Sequence, residues 1–398
     1  MAAFFRTLPI SIFVIIFLIT GCGGGSSKPS SDLDDEDNNP ESETIDCKNL
    51  ECVQTKFSLI SADLNGENLT IVVENNYQEM SHPRVTNDGK WLAFNRYNTI
   101  THGECAEEKG SHFLNTEIRA VKMNGNRQEV ALTTAQPGRL SSNSYWINDS
   151  YNFTYLEGTP ATPATPNPTD KIAIKTSFRD SEMQEIQASQ SLLIPPTIAV
   201  FDPQQRGSKI VFGGLYTHPT YEIPVKSIFT IDDDGQNISG KTIATNTNGD
   251  PVHGLQLALE NDPKFSPDGS KIAFIRKINE NKGFDHGWHI FVTSSDATPG
   301  DEINLSILHI GSDEFFNDAV PEWIDNETLI FNTIDVTNET PLLFDQKIFT
   351  MKYDGTERNE ITLPAGFHYG HPFPYKDENN KTKIILSANK LDAECMQE

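Results

Sequence analysis

Six times along this chain a turn is followed by an apolar alternation that closes on a large apolar residue. The closing residues Phe94, Tyr155, Phe212, Phe274, Phe331 and Leu386 stand 55 to 62 residues apart. No other feature restricts the fold so strongly, because a short unit repeated at a fixed period cannot bury its apolar face alone and must stack on its neighbours. The clearest copies are "HPRVTNDGKWLAFNR" (82–96) and "DPKFSPDGSKIAFIR" (262–276), each a proline, an Asp-Gly turn and a period-two run. Weaker copies read "YWINDSYNFTYL", "DPQQRGSKIVF", "VPEWIDNETLIF" and "HPFPYKDENNKTKIIL".

Between these copies lies a second signature, a strand, a tight turn and another strand. The turn glycines are Gly66, Gly125, Gly235 and Gly355, in contexts such as "SLISADLNGENLTIVV" and "KIFTMKYDGTERNEITL". Asn-Gly and Asp-Gly supply the positive φ that tight hairpins require. "KIAIKTSFRDSEMQEIQAS" and "HIFVTSSDATPGDEINLSIL" occupy the two remaining places. One period therefore predicts four antiparallel strands, and repeated sheets of that kind pack face to face as propeller blades. The order of the pieces is offset. Residues 57–74 read as the last two strands of a unit and 371–390 as the first two of another. The expectation is an all-β, six-bladed β-propeller whose ring is closed by a composite blade built from both ends of the chain, which leaves no open sheet edge.

The region ahead of the repeats has a different character. "MAAFFRTLPISIFVIIFLITGC" carries one basic residue, Arg6, an apolar stretch from Leu8 to Ile19, and then Cys22. It reads as an export signal over residues 1–21, too short to span a membrane. The ending resembles the bacterial lipobox, which implies palmitate-type lipidation at Cys22 and, with Gly23 following, sorting to the outer membrane of the cell envelope. Residues 22–56 pass from Gly/Ser into an acidic run that includes Asp32, Asp34, Asp35 and Asp37. Such a segment lacks the apolar surface to offset its ordering entropy and reads as a disordered, flexible tether. The globular part is then 57–398. The net charge of −25 speaks against a nucleic-acid partner, since phosphate binding needs a positive field.

The motif Pro263-x-Phe265-Ser266-Pro267-Asp268-Gly269-Ser270-Lys271-Ile272-Ala273-Phe274, with its "IFT" and Asp-Gly strands, resembles the repeats of TolB-type, WD40-like β-propellers. The resemblance covers about 57–390 as an array, strongest in the fourth and first units, and it implies an exported propeller. That family carries a separate N-terminal domain where this chain has the acidic tether, so partners do not transfer.

Among chemical motifs, Gly235 to Thr242 ("GQNISGKT") matches the phosphate-loop pattern but straddles a predicted strand-turn-strand with no helix to follow, so no nucleotide is expected there. No G-x-S-x-G nucleophile elbow occurs. His82, Asp262 and His371 each precede a proline at the start of a first strand, hence around the channel mouth, with His368 and His253 entering the same face. These five are the candidate ligands for a divalent metal; no other cofactor is expected. Long, dissimilar connections between second and third strands share that face, and loops on a rigid scaffold are where recognition is usually placed. Trp288, with His286 and His289, belongs to such a surface or else packs between blades. Cys47, Cys52, Cys105 and Cys395, an even number in an exported chain, suggest two disulfides near the ring closure in any of three pairings. The functional expectation is a lipid-anchored envelope module that binds a protein or a glycan through the long-loop face around His82, Asp262, His371 and Trp288. The alternative is a metal-dependent polysaccharide lyase or hydrolase with its site at the channel mouth.

Overall fold

The structure is a computed structural model that describes residues 56–75, 80–97, 116–125, 127–136, 139–159, 172–195, 198–217, 224–242, 260–277, 287–296, 301–310, 316–335, 345–365 and 367–390. Two strands, β1 (Lys56–Asp63) and β2 (Thr70–Asn75), come first. The first complete blade follows as β3 (Met80–Val85), β4 (Trp91–Tyr97), β5 (Thr116–Lys122) and β6 (Val130–Ala131). The second holds β7 (Leu140–Trp146), β8 (Phe153–Gly158), β9 (Ala173–Arg179) and β10 (Glu185–Ser191). The third holds β11 (Ala199–Arg206), β12 (Lys209–Thr217), β13 (Pro224–Asp232) and β14 (Ser239–Gly240). β15 (Glu260–Phe265), β16 (Lys271–Lys277), β17 (Trp288–Ser294) and β18 (Ile303–Asn304) make the fourth, trailed by a one-turn helix, α1 (Ile307–Ile310). The fifth is β19 (Phe316–Trp323), β20 (Thr328–Asp335), β21 (Asp345–Lys352) and β22 (Asn359–Ile361).

The last two strands, β23 (His368–Lys376) and β24 (Thr382–Lys390), do not make a sheet of their own. β24 pairs with β1 over eight residue pairs, Lys56 with Lys390 through Asp63 with Lys383, giving the order β2-β1-β24-β23. The composite sixth blade expected from the offset repeat is therefore present. With all six sheets four-stranded, the chain is a six-bladed β-propeller.

Side-chain chemistry accounts for the ring. The six repeat-closing residues all lie on second strands and are 0–3% exposed. Each stands at the centre of its sheet, and Phe212, Phe274 and Phe331 stack on third-strand Phe229, Phe291 and Phe349 at 5.7, 5.7 and 6.1 Å. Six apolar clusters join consecutive blades in turn. They run from the first and second (Trp91, Ile118, Trp146, Phe153) round to the sixth and first (Phe57, Leu59, Leu92, Phe94). Burial of this kind contributes roughly 1.5–3 kcal/mol per large side chain, so each interface adds to the stability of the closed circle.

The turns follow their sequence. Gly66, Gly125, Gly235 and Gly355 have φ between 79 and 84°. In the Ser266-Pro-Asp-Gly-Ser270 turn, Asp268 accepts from Ser266 Oγ (2.6 Å) and from Ser270 N (2.9 Å). Those bonds to its ionised form hold the Asp268 carboxyl down at about 2. Thr86 and Asp88 build the same turn in the first blade. Because every neighbouring pair of strands is antiparallel, connections alternate between two faces. First-to-second and third-to-fourth turns lie on one, the turn face; second strands end, and first and third strands begin, on the other, the loop face.

Candidate functional site

In each blade the ladder between the first and second strands is broken at one place. The register of first and second strands shifts between Ser81 and Arg84, Ser142 and Tyr145, Phe201 and Gln204, Asn261 and Lys264, Ala319 and Glu322, and Gly370 and Phe373. Inside each gap sits a left-handed residue: His82 (φ 50), Asn143 (54), Asp202 (46), Asp262 (50), Val320 (51) and His371 (50). A β-branched valine in that region is a genuine outlier, and a residue before proline is normally pushed to extended backbone. The bulge explains the proline that follows in five of the six copies. Having no N–H, proline fits where the ladder has no partner to offer. The bulge turns the preceding side chain towards the axis, so the six residues form a ring that is only 3–8% exposed.

The ring is polar except at Val320 and falls into two sectors. In the first, His82 and His371 face each other with ring centroids 4.2 Å apart, tilted by 44°. His82 Nδ1 lies 2.8 Å from Ser81 Oγ and 3.3 Å from Asn95 Nδ2. His371 Nδ1 lies 3.2 Å from Ser387 Oγ, whose own hydrogen goes to the Gly370 carbonyl. Burial first, and then the neighbouring His371 and Arg84, push His82 well below its ordinary value, so it stays neutral. The second sector is carboxylate. Asn143 Nδ2 donates to Asp202, and Asn95 binds Asn143 through both Nδ2 and Oδ1 (3.3 and 3.1 Å). A continuous hydrogen-bonded arc thus runs from His82 through Asn95 and Asn143 to Asp202. Beside it, Asp262 is raised to about 6 by burial and by the nearby charge of Asp202, although Lys264 Nζ stands 3.8 Å away. Lys226 donates to Asn261, lies 4.3 Å from the Phe201 ring centroid, and is lowered by burial to about 8.

Two residues further along each first strand a second layer closes the axis. It consists of Arg84, Tyr145, Gln204, Lys264, Glu322 and Phe373. Arg84 Nη2 pairs with Glu322 Oε1 at 2.8 Å, both side chains 3% exposed. The Tyr145 hydroxyl donates to Glu322 from the opposite side of the ring, and the Arg84 guanidinium lies 4.8 and 5.0 Å from the Tyr145 and Phe373 ring centroids. The channel is plugged, and the ring above is the floor of a mouth rather than the wall of a conduit.

The residues singled out from the sequence separate on this frame. His82, Asp262 and His371 belong to the ring, though at mid-strand bulges rather than at strand starts. His368 joins His371 in lining a small depression of about 20 Å³ between the fifth and sixth blades, with Gln346, Asn332 and Asn389. Among the described residues no group of three or more His, Cys, Asp or Glu is placed to hold a metal ion. Of the five candidate metal ligands, the structure brings the two ring histidines into contact and sets Asp262 in the other sector; His253 lies outside the described residues. Trp288 is 3% exposed and packs with Trp323 and Phe331 between the fourth and fifth blades. Its role is packing, not display on the loop surface. His289 is also buried, against Asn304, while His286 is outside the described residues. So are Cys22, the tether, and the disulfide candidates Cys47, Cys52, Cys105 and Cys395.

The phosphate-loop match folds as strand, turn and strand. Gly235 takes the tight turn after β13, and Thr242 is buried, donating to Glu260 and accepting from Ile228 N. Sequence reasoning missed Asn143, Asp202, Val320, Lys226 and the whole plug. Asp202-Pro203 and Val320-Pro321 carried the signal, since they occupy the place of His82-Pro83 in their repeats. Asn143 lacks the proline and left no mark.

No family model matches the chain, and no curated protein sequence matches it. Solved structures do. TolB from Acinetobacter baumannii is similar over 85% of this chain and 65% of its own, with 11% identity and a TM-score of 0.47. The β-propeller domain of the Trilobed protease from Pyrococcus furiosus is similar over 84% and 86%, at 13% identity and 0.42. Trypanosoma rangeli sialidase is similar over 82% and 57%, at 12% and 0.45. This chain therefore spans under two thirds of the TolB and sialidase chains. At such identities no function crosses to it, and the six-bladed assignment stands on its own sheet topology.

Proposed function

We propose that this six-bladed propeller is a recognition module of the bacterial cell envelope, held at the outer membrane by lipid on Cys22, that binds a protein or a glycan on its loop face. One observation carries the binding reading: five polar ring residues form a recessed floor directly above a plugged channel. A ligand arriving on that face meets fixed donors and acceptors at the centre. Rigid polar groups set in a concavity give orientation and specificity, and the propeller fold itself dictates no activity. The enzyme reading, a metal-dependent lyase or hydrolase, would need a third ligand from beyond the described residues, such as His253.

Glycan arrays and cross-linking to envelope extracts test the proposal with wild type and an Asp262→Asn/His371→Ala variant shown by circular dichroism to be folded. Binding should weaken about tenfold or more in the variant. Equal capture by both proteins would remove the ring from the binding site. Metal analysis of the purified chain separates the rival, which requires stoichiometric metal lost on His371→Ala. Labelled palmitate should enter wild type and not Cys22→Ser; label retained by the variant would refute the anchor.

A further inference from the structure

The opposite mouth of the channel has a different chemistry. On the turn face a cavity of about 490 Å³ is lined by turns of four consecutive blades: Asn87, Asn148 and Asp149, Arg206 to Lys209, and Pro267 to Gly269, with Phe265 at its base. Neighbouring turns are clipped together. Asn87 Nδ2 donates to Asp149 Oδ1 at 3.0 Å, Gly207 N donates to Asn148 Oδ1 at 3.0 Å, and Asp268 N donates to Asn326 Oδ1 at 2.9 Å. The walls are thus pre-organised, and a volume of this order suits a small ligand or a short peptide segment.

Arg206 is the outlier in this cavity. Its guanidinium is half-buried, its Nε is buried without a hydrogen-bond partner, and among the described residues it makes no ion pair. Every other charged group lining the cavity is engaged: Lys209 with Asp232 at 3.8 Å, Asp149 with Asn87, and Asp268 with Ser266 and Ser270. A guanidinium is a planar fork of donors matched to a carboxylate, and a buried donor left unmade is costly. In a chain of net charge −25, an uncommitted arginine inside a formed cavity is an unusual expense of cationic charge.

We propose that the turn-face cavity is a second binding site, one that takes a peptide segment bearing a single carboxylate, with Arg206 receiving the carboxylate. The flanking acids set the ligand's charge. Asp149 and Asp268 repel a dianion such as phosphate more than a monoanion, and together with Asn87 and Asn148 they offer acceptors to peptide N–H groups. The site is independent of the loop face, because the plug lies between the two.

Titration calorimetry of the full chain with acetyl-Gly-Glu-Gly-amide and its glutamine counterpart tests this, with inorganic phosphate as a third probe. The glutamate peptide should bind about tenfold tighter than the glutamine one, as expected for a charge-assisted hydrogen bond. Arg206→Gln, checked for an unchanged melting temperature, should abolish that preference, while Arg206→Lys keeps part of it. The proposal is overturned if neither peptide binds, if both bind equally, if Arg206→Gln retains the preference, or if phosphate binds more tightly than the glutamate peptide.

Discussion

Removing one partner of the Arg84–Glu322 pair should cost far more than removing both. The two charges stand 2.8 Å apart with 3% exposure each, where attraction at an effective dielectric of 20 is about 6 kcal/mol. Most of that attraction is offset by the cost of taking both ions out of water. Truncating one side leaves the other charged, buried and unanswered, at about 3–5 kcal/mol. In Glu322→Ala the stranded group is Arg84, which keeps only the Pro83 carbonyl (2.9 Å) and the faces of Tyr145 and Phe373. Tyr145 simultaneously loses its acceptor. With an unfolding entropy of about 2.1 cal/mol/K per residue over the roughly 330 residues of the ring, each kelvin corresponds to about 0.7 kcal/mol. Glu322→Ala should therefore melt about 4–7 °C below wild type. The triple variant Arg84→Met/Tyr145→Phe/Glu322→Leu removes both charges and the hydroxyl together while filling the space, so it should melt within about 2 °C of wild type or above it. Thermal denaturation by circular dichroism at one scan rate measures all three proteins. If Glu322→Ala and the triple variant melt at the same temperature, the plug is not held by a desolvated ion pair and the reasoning fails.

Two further predictions come from the ring and the turns. Burial raises Asp262 from 3.8 to about 6, so the folded state holds a proton that the unfolded chain releases. Its contribution to stability is full below about pH 4 and lost as pH rises through 6; Asp262→Asn should melt above wild type at pH 7.5, with the gap closing towards pH 4, and a gap independent of pH would contradict the assignment. At the turns, Gly66 and Gly125 share a left-handed φ of 84 and 79°, but a Cβ on Gly66 would overlap the Thr362 carbonyl oxygen of the fifth blade while one on Gly125 meets open space. Gly125→Ala should cost only the backbone term of about 1–2 kcal/mol and Gly66→Ala at least twice that in chemical denaturation, so equal losses would show that the blade contact at Gly66 is soft.

The scaffold was legible in the sequence because its determinants are local and repeated. Tight turns need a positive φ, supplied by glycine in five blades and by Asn148 and Met183 in the second, and second strands need a large apolar residue at their centre in all six. Even the composite blade could be read, since it follows from the phase of the repeat at the two ends of the chain. Trp288 was left between two roles because one aromatic side chain serves a loop surface or a blade interface equally well. Only its place beside Trp323 and Phe331 decides between them. The plug was invisible for a related reason. Arg84 and Glu322 are 238 positions apart, and nothing local distinguishes them from surface charges until the ring brings them to one axis.

The ring of bulges shows where reading by repeat is strong and where it stops. The backbone requirement is the same six times: one residue turned into the left-handed region, then a residue that needs no ladder hydrogen bond. Proline meets that need in five blades, which is why the dipeptide before each turn marks a position on the axis. The residue ahead of it is constrained in conformation and free in chemistry, and this chain places His, Asn, Asp, Asp, Val and His there. Because a strained backbone costs of order 1–3 kcal/mol at each place whatever the side chain, the bulge alone does not require polar residues, as Val320 demonstrates. Five buried polar groups, three of them linked through Asn95 into a hydrogen-bonded arc, are an additional desolvation cost over six valines. That excess, and not the bulge itself, is the argument that the loop-face mouth is shaped for a ligand.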